Sequence, residues 1–300
     1  MEHEFIRWLE QRIPPRLQLP LGFDDDAALL SVPAGRDAVL TTDLLTDGVH
    51  FHLDQIAARR AGRKALAVNL SDLAAMAARP RAALVSLAIP RSACAAVARE
   101  LYEGLIPLAE QFGVAIAGGD TNTWDHPLGI RFTALGETMP GGPWRRTTAQ
   151  PGDVLLVTGD LGGSIRGHHL DFTPRVAEAL ALAANFRVHA AIDVSDGLAL
   201  DLHRLAQASS CAAVVELDRL PVSSAAAELA SQSPAGPSSL DHALSDGEDF
   251  ELLLALPAAE AERLLADPPI SVRLTRIGRF EAGQGIWAET AAGRRPLQPT

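Results

Sequence analysis

Lysine is almost absent from this chain: Lys64 is the single one among 26 basic side chains. That scarcity excludes a nucleotide loop of the G-x-x-x-x-G-K-[ST] type, because no such glycine run is followed by a lysine. Cysteine is nearly as scarce. Cys94 and Cys211 form no C-x-x-C pair, which argues against a disulfide framework and a zinc site; both sit in Ala-rich segments that suit small buried thiols. Aromatic residues are 5% of the chain, and tyrosine occurs once, as Tyr102. Every apolar run falls short of the ~20 residues that span a bilayer. The opening MEHEFIRWLEQR carries no signal-peptide pattern, so a cytoplasmic protein is expected. A formal net charge of −11 speaks against nucleic acid or an anionic membrane as the main partner.

What is present has the balance of a globular protein, 47% hydrophobic and 21% charged over 300 residues, with core enough for two α+β domains. The pattern predicts strands at 38–42, 83–89, 114–117 and 129–136. It predicts helices at 61–78 and 92–112, the second kinked or broken by Pro107. Met139-Pro-Gly-Gly-Pro143 reads as a linker, dividing an N-terminal domain at 1–140 from a C-terminal one at 145–300. Beyond it, strands are predicted at 151–158, 212–217, 250–256 and 272–280, helices at 174–185, 196–209 and 257–266, and a polar loop at 231–239.

Aspartates stand where solvation alone would not put them. Asp24-Asp25-Asp26 directly precedes an apolar run, and three adjacent carboxylates repel one another unless a cation or a helix N-terminus neutralises them. Asp43 follows strand residues 39–42, where the hydroxyls of Thr41 and Thr42 beside a carboxylate suit a hard cation; an ordinary strand-to-loop transition accounts for it equally well. His50, taken alone, reads as structural. Asn69 and Asp72 share one helical face, with Lys64 two turns behind and Leu66, Leu70 and Leu73 opposite. Such a helix is buried, and a buried carboxylate needs a partner or a metal. Asp120 closes a strand after Gly118-Gly119, glycines that let a backbone approach a phosphate. Asp193 sits between Ile192 and Val194, and Asp196 lies three residues on, where it could equally cap the next helix. Glu248-Asp249 belongs to an acidic turn ahead of a buried strand. Jointly, an oxygen-rich set without a basic phosphate loop points to magnesium bridging to the phosphates of a nucleoside triphosphate, and to phosphoryl transfer.

Asp25-Asp26-Ala-Ala, Thr41-Thr-Asp43 with His50-Phe51, Lys64-Ala-Leu-Ala-Val-Asn-Leu-Ser-Asp72, Gly118-Gly-Asp-Thr121, Asp193-Val-Ser-Asp-Gly-Leu198 and Gly247-Glu-Asp-Phe-Glu-Leu252 follow one another in this order. From about residue 20 to residue 256 the chain resembles the thiamine-monophosphate kinase family. The resemblance implies a mixed α/β fold of two domains, like that of aminoimidazole ribonucleotide synthetase. In it the N-terminal halves of a homodimer pair into a β-barrel and the C-terminal half forms an α+β sandwich. It implies that ATP phosphorylates thiamine monophosphate to thiamine diphosphate with several Mg2+ ions. Carried over by motif, Asp26, Thr41, Thr42, Asp43, Asp72, Asp120, Asp193 and Asp196 hold magnesium. Tyr102, Gly119, Asp120, Arg146 and Ser195 meet ATP, and His50, Glu248 and Asp249 face the thiamine substrate. The attacking phosphate oxygen is already ionised near neutral pH, so no general base is expected.

The chain departs from the family pattern at two places. Asp24 replaces a glycine, and the closing segment, Ala291 to Thr300, lacks the family's Gly-aromatic-x-His-Phe, for which Trp287 is the available stand-in. These departures keep open a kinase for another small phosphate ester, and a nucleotide-binding protein that lost its acceptor pocket. The acids are spread over both halves, so the site is expected where the domains join.

Overall fold

The computed structural model describes Trp8, Gln11, Arg12, residues 32–92 and residues 94–299. Asp24, Asp25, Asp26 and the Cys94 side chain lie outside the described residues. The chain divides into two compact units, one running to Leu73 and resuming over Arg79–Pro140, the other made of Ala74–Ala78 with Gly141 onward. Among the described residues no helix is long and apolar enough to cross a membrane.

The first unit is a four-stranded sheet with two helices. Strands β1 (Ala38–Thr46), β2 (Arg79–Pro90), β3 (Ala115–Trp124) and β4 (Gly129–Glu137) lie in the order β1-β4-β2-β3, antiparallel except for β2 with β3. One face carries Val39, Val85, Leu87, Ile130, Phe132 and Ala134, all buried. Helices α1 (Ala58–Ala75) and α2 (Cys94–Gln111) cross at glycines: a Cβ on Gly62 would stand 2.1 Å from the Leu101 carbonyl oxygen, and one on Gly104 1.8 Å from that of Arg59. The alanine-rich composition of both helices serves this close approach. Pro107 sits within α2 without ending it.

Both short strands of the sequence reading prove longer. β1 continues to Thr46 because Leu44, Leu45 and Thr46 go on pairing with Arg131, Ile130 and Gly129. β3 continues to Trp124 beside Leu87–Pro90 of β2. Asp43 and Asp120 therefore lie within strands rather than at their ends.

The second unit holds a seven-stranded sheet in the order β11-β10-β7-β9-β5-β8-β6. Its strands are β5 (Val154–Thr158), β6 (Ala190–Asp193), β7 (Ala212–Glu216), β8 (Leu252–Leu256), β9 (Leu274–Glu281), β10 (Ile286–Thr290) and β11 (Gly293–Pro296). The helices are α3 (His168–Asp171), α4 (Val176–Asn185), α5 (Leu198–Ala208), α6 (Ser224–Gln232), α7 (Ser239–Ser245) and α8 (Ala258–Ala266). Leu155, Val157, Ile192, Leu202, Leu205, Val215 and Phe280 form its core, against which α5 packs. Helix α7 follows the predicted polar loop, started by a capping box between Ser238 and Asp241. Trp287 lies on β10, five strands from β6, so it does not stand beside Asp193 as a replacement aromatic; its ring stacks under Arg294 instead.

Candidate metal and nucleotide site

In the first unit the pleat of β1 turns Thr41 and Asp43 to the helix side and Thr42 to the other. Thr41 Oγ1 donates a hydrogen bond to Asp72 Oδ2 on α1. Burial, and then the negative charge of Asp72, push the Asp43 carboxyl up to about 6. Two carboxylates and a hydroxyl thus share a half-buried place, where each carboxylate's charge raises the cost of the other's. Hard oxygen donors in that electrostatic setting fit a magnesium ion. Among the described residues no three His, Cys, Asp or Glu side chains form a complete metal cluster.

The other expected ligands of this unit behave differently. Thr42 Oγ1 donates to the Phe132 carbonyl at 2.7 Å and accepts from Arg131 Nε at 3.2 Å. Asp120 lies in the cross-strand row Leu44, Arg131, Ser86, Asp120 on the open face, the face opposite Asp43. Three strand spacings, about 14 Å, separate β3 from β1, so within one copy Asp120 does not join Asp43. Gly119 answers a packing need, since a Cβ there would stand 1.8 Å from the Val85 carbonyl oxygen. Tyr102 is 3% exposed, with Trp8 edge-on to its ring. His50 Nδ1 accepts from the Thr46 N–H at 3.0 Å, which leaves Nε2 to carry the proton of the neutral ring. The fully buried Lys64 donates to the His50 carbonyl at 2.8 Å, a use for the one lysine that the sequence did not reveal.

In the second unit β6 ends at Asp193, buried, and the chain turns through Val194-Ser-Asp-Gly197 into α5. Asp201, inside the first turn of α5, accepts the N–H groups of Ser195 at 3.0 Å and Asp196 at 2.8 Å. Gly197, not Asp196, is the cap residue, and the exposed Asp196 carboxylate is taken by Arg204. Arg204 reaches Oδ2 of that carboxylate. The Ser195 side chain stays partly exposed at the turn.

The acidic segment 246–251 is stapled to a glycine turn that the sequence reading passed over. Asp249 accepts from the Gly162 N–H at 2.8 Å, Asp246 from the Gly163 N–H at 2.7 Å, and the Ser164 hydroxyl donates to the Gly247 carbonyl at 2.5 Å. Asp249 is 2% exposed, and burial, with Asp246 and Glu251 adding their charge, pushes its carboxyl up to about 8. Asp249 faces inward, whereas Glu248 is half-buried with a left-handed backbone (φ 63). Glu251 is buried against Arg175, which donates from Nε at 2.7 Å and a terminal nitrogen at 2.5 Å, while Thr158 adds a third bond at 2.6 Å. Gly162-Gly163-Ser following β5 was the signal available for this turn.

Arg146 is exposed on the loop before β5. Its carbonyl is held by Ser209 and the loop by Asp153, which accepts from Gln150 N at 2.8 Å and pairs with His189 at 2.9 Å.

Comparison with known proteins completes the description. The N-terminal domain of AIR synthase related protein matches residues 24–138, and its C-terminal domain matches residues 150–288. The thiamine-monophosphate kinase of Rhodopirellula baltica is 43% identical over 98% of this chain and 94% of its own length. The crystal structure of thiamine-monophosphate kinase from Stenotrophomonas maltophilia K279a gives a TM-score of 0.81 at 38% identity, covering 96% of this chain and 95% of that one. AaThiL complexed with AMPPCP and TMP gives 0.78 at 26% identity, covering 100% and 95%. The expected two-domain mixed α/β fold is the one these relatives share, and the chain belongs to the AIR synthase-related family and, within it, to the thiamine-monophosphate kinases.

Proposed function

We propose that this chain moves the γ-phosphoryl group of ATP onto the phosphate of thiamine monophosphate, giving thiamine diphosphate and ADP. The observation that carries this reading is 43% identity to a thiamine-monophosphate kinase across nearly the full length of both chains. An oxygen of the acceptor phosphate attacks the γ-phosphorus and the bond to the β,γ-bridging oxygen breaks; no proton has to be removed from the nucleophile. The protein's task is to align two anions and offset their repulsion.

In the first unit, Asp43 and Asp72, with Thr41, hold magnesium, joined by Asp26; in the second, Asp193 and Asp196 do so. Magnesium bound there neutralises charge on the transferring phosphoryl group. Gly119 and Asp120 in the first unit and Arg146 and Ser195 in the second meet ATP. His50 and Glu248 face the thiamine substrate. Such a reaction draws on cytoplasmic ATP, which places the protein there.

The open face of the four-stranded sheet supports a homodimer. Leu40 (64% exposed), Leu44 (58%) and Leu84 (39%) stand on it, and its edges β1 and β3 are unpaired among the described residues. A second copy closing the two sheets into a barrel covers these leucines.

Incubation with ATP, magnesium and thiamine monophosphate tests the reading: thiamine diphosphate forms with the wild-type chain and on the order of 100-fold more slowly with Asp43→Asn. ATP binding without transfer to thiamine monophosphate would sink it.

A further inference from the structure

Arg146 carries its guanidinium on a loop whose side chains are exposed but whose backbone is tied down at every step. Trp144 and Ala149 are buried on either side of it, at 6% each. The Arg145 carbonyl accepts from Ala191 N at 3.2 Å, and the Thr148 hydroxyl donates to the His189 carbonyl. The central tie is one side chain: Ser209 Oγ donates to the Arg146 carbonyl at 2.7 Å and accepts from Ala149 N at 3.0 Å. It thus closes the loop across the three residues that follow Arg145.

Ser209 is the C-cap of α5. Its own N–H bonds to Leu205, while Ser210 at φ 54 and Cys211 complete a Schellman ending through Gln207 and Ala206. At the other end of the same helix Asp201 holds Ser195. Eleven helical residues, about 16 Å, therefore fix how far Arg146 stands from Ser195.

We infer that Ser209 is a positioning residue for nucleotide binding: α5 acts as a strut that sets Arg146 against Ser195, and the Ser209 hydroxyl couples the strut to the Arg146 loop. The inference rests on the proposal that Arg146 and Ser195 meet ATP. An Arg146 on a slack loop gives up conformational freedom when it meets a phosphate; the hydroxyl takes up part of that cost beforehand.

The test is calorimetric titration of MgATP, without acceptor, into the wild-type chain, Ser209→Ala, Ser209→Thr, Arg146→Ala and the double variant Arg146→Ala/Ser209→Ala, each with its melting temperature. Ser209→Ala is expected to weaken MgATP about 3–10-fold, Ser209→Thr to restore most of it, and the double variant to bind no worse than Arg146→Ala alone. Steady-state turnover should show the loss in KM for ATP rather than in kcat. Losses that multiply in the double variant overturn the inference, because Ser209 then acts elsewhere than through Arg146. Unchanged affinity in Ser209→Ala overturns it too. If the wild-type chain itself fails to bind MgATP, the nucleotide reading falls and takes the inference with it. Should Ser209→Ala melt too early to titrate, Ser209→Cys, which keeps the side-chain volume but weakens both bonds, decides: MgATP bound as tightly as by the wild-type chain overturns the inference.

Discussion

Asp43 is held in a place where its charge costs energy. Replacing it with asparagine removes the repulsion with Asp72 as well as a metal ligand. Asp43→Asn is therefore expected to cut kcat/KM on the order of 100-fold, the loss of about 3 kcal/mol of charge stabilisation, without lowering the melting temperature of the metal-free protein. Asp249 gives a second prediction at this scale. Its carboxyl titrates near 8 in the fold and near 3.8 when free, so between these values the folded chain holds a proton that the unfolded chain has released. The stability this confers is complete below pH 4 and is lost as the pH rises through 8. Asp249→Asn, which still accepts the Gly162 N–H, should flatten the fall in melting temperature from pH 5 to 9; equal slopes in the two proteins would refute it. Asp72, read as a buried carboxylate in need of a partner, was legible because acids rarely interrupt an Ala-Leu helix. Asp249 was not, because only the folded turn shows that its oxygen meets Gly162 rather than solvent.

Helices α1 and α2 pack so closely that backbone takes the place of side chains. Gly104→Ala drives a methyl into the Arg59 carbonyl and should cost about 3 kcal/mol or more, read from chemical denaturation. Ser210, left-handed at the end of α5, points the other way: Ser210→Gly is expected to stabilise the chain by about 1 kcal/mol. Helix existence was legible from apolar spacing, for α1, α2 and α5 alike. Strand length was not. Thr121, Asn122 and Thr123 read as loop because they are polar, yet an edge strand with one open face accepts them, and β2 holds them in register. Strand β11 escaped for the same reason, with Arg294 and Arg295 exposed at the sheet edge.

At the scale of the molecule, one copy leaves its acids unassembled: Asp43 and Asp120 lie on opposite faces and at opposite edges of the same sheet. No side-chain rotation bridges three strands. The motif order that carried the family resemblance was legible without any of this, since linear order says nothing about which copy supplies which ligand. If two copies close a barrel, the double variant Leu40→Asp/Leu44→Asp should elute as a monomer by light scattering while the wild-type chain has twice that mass.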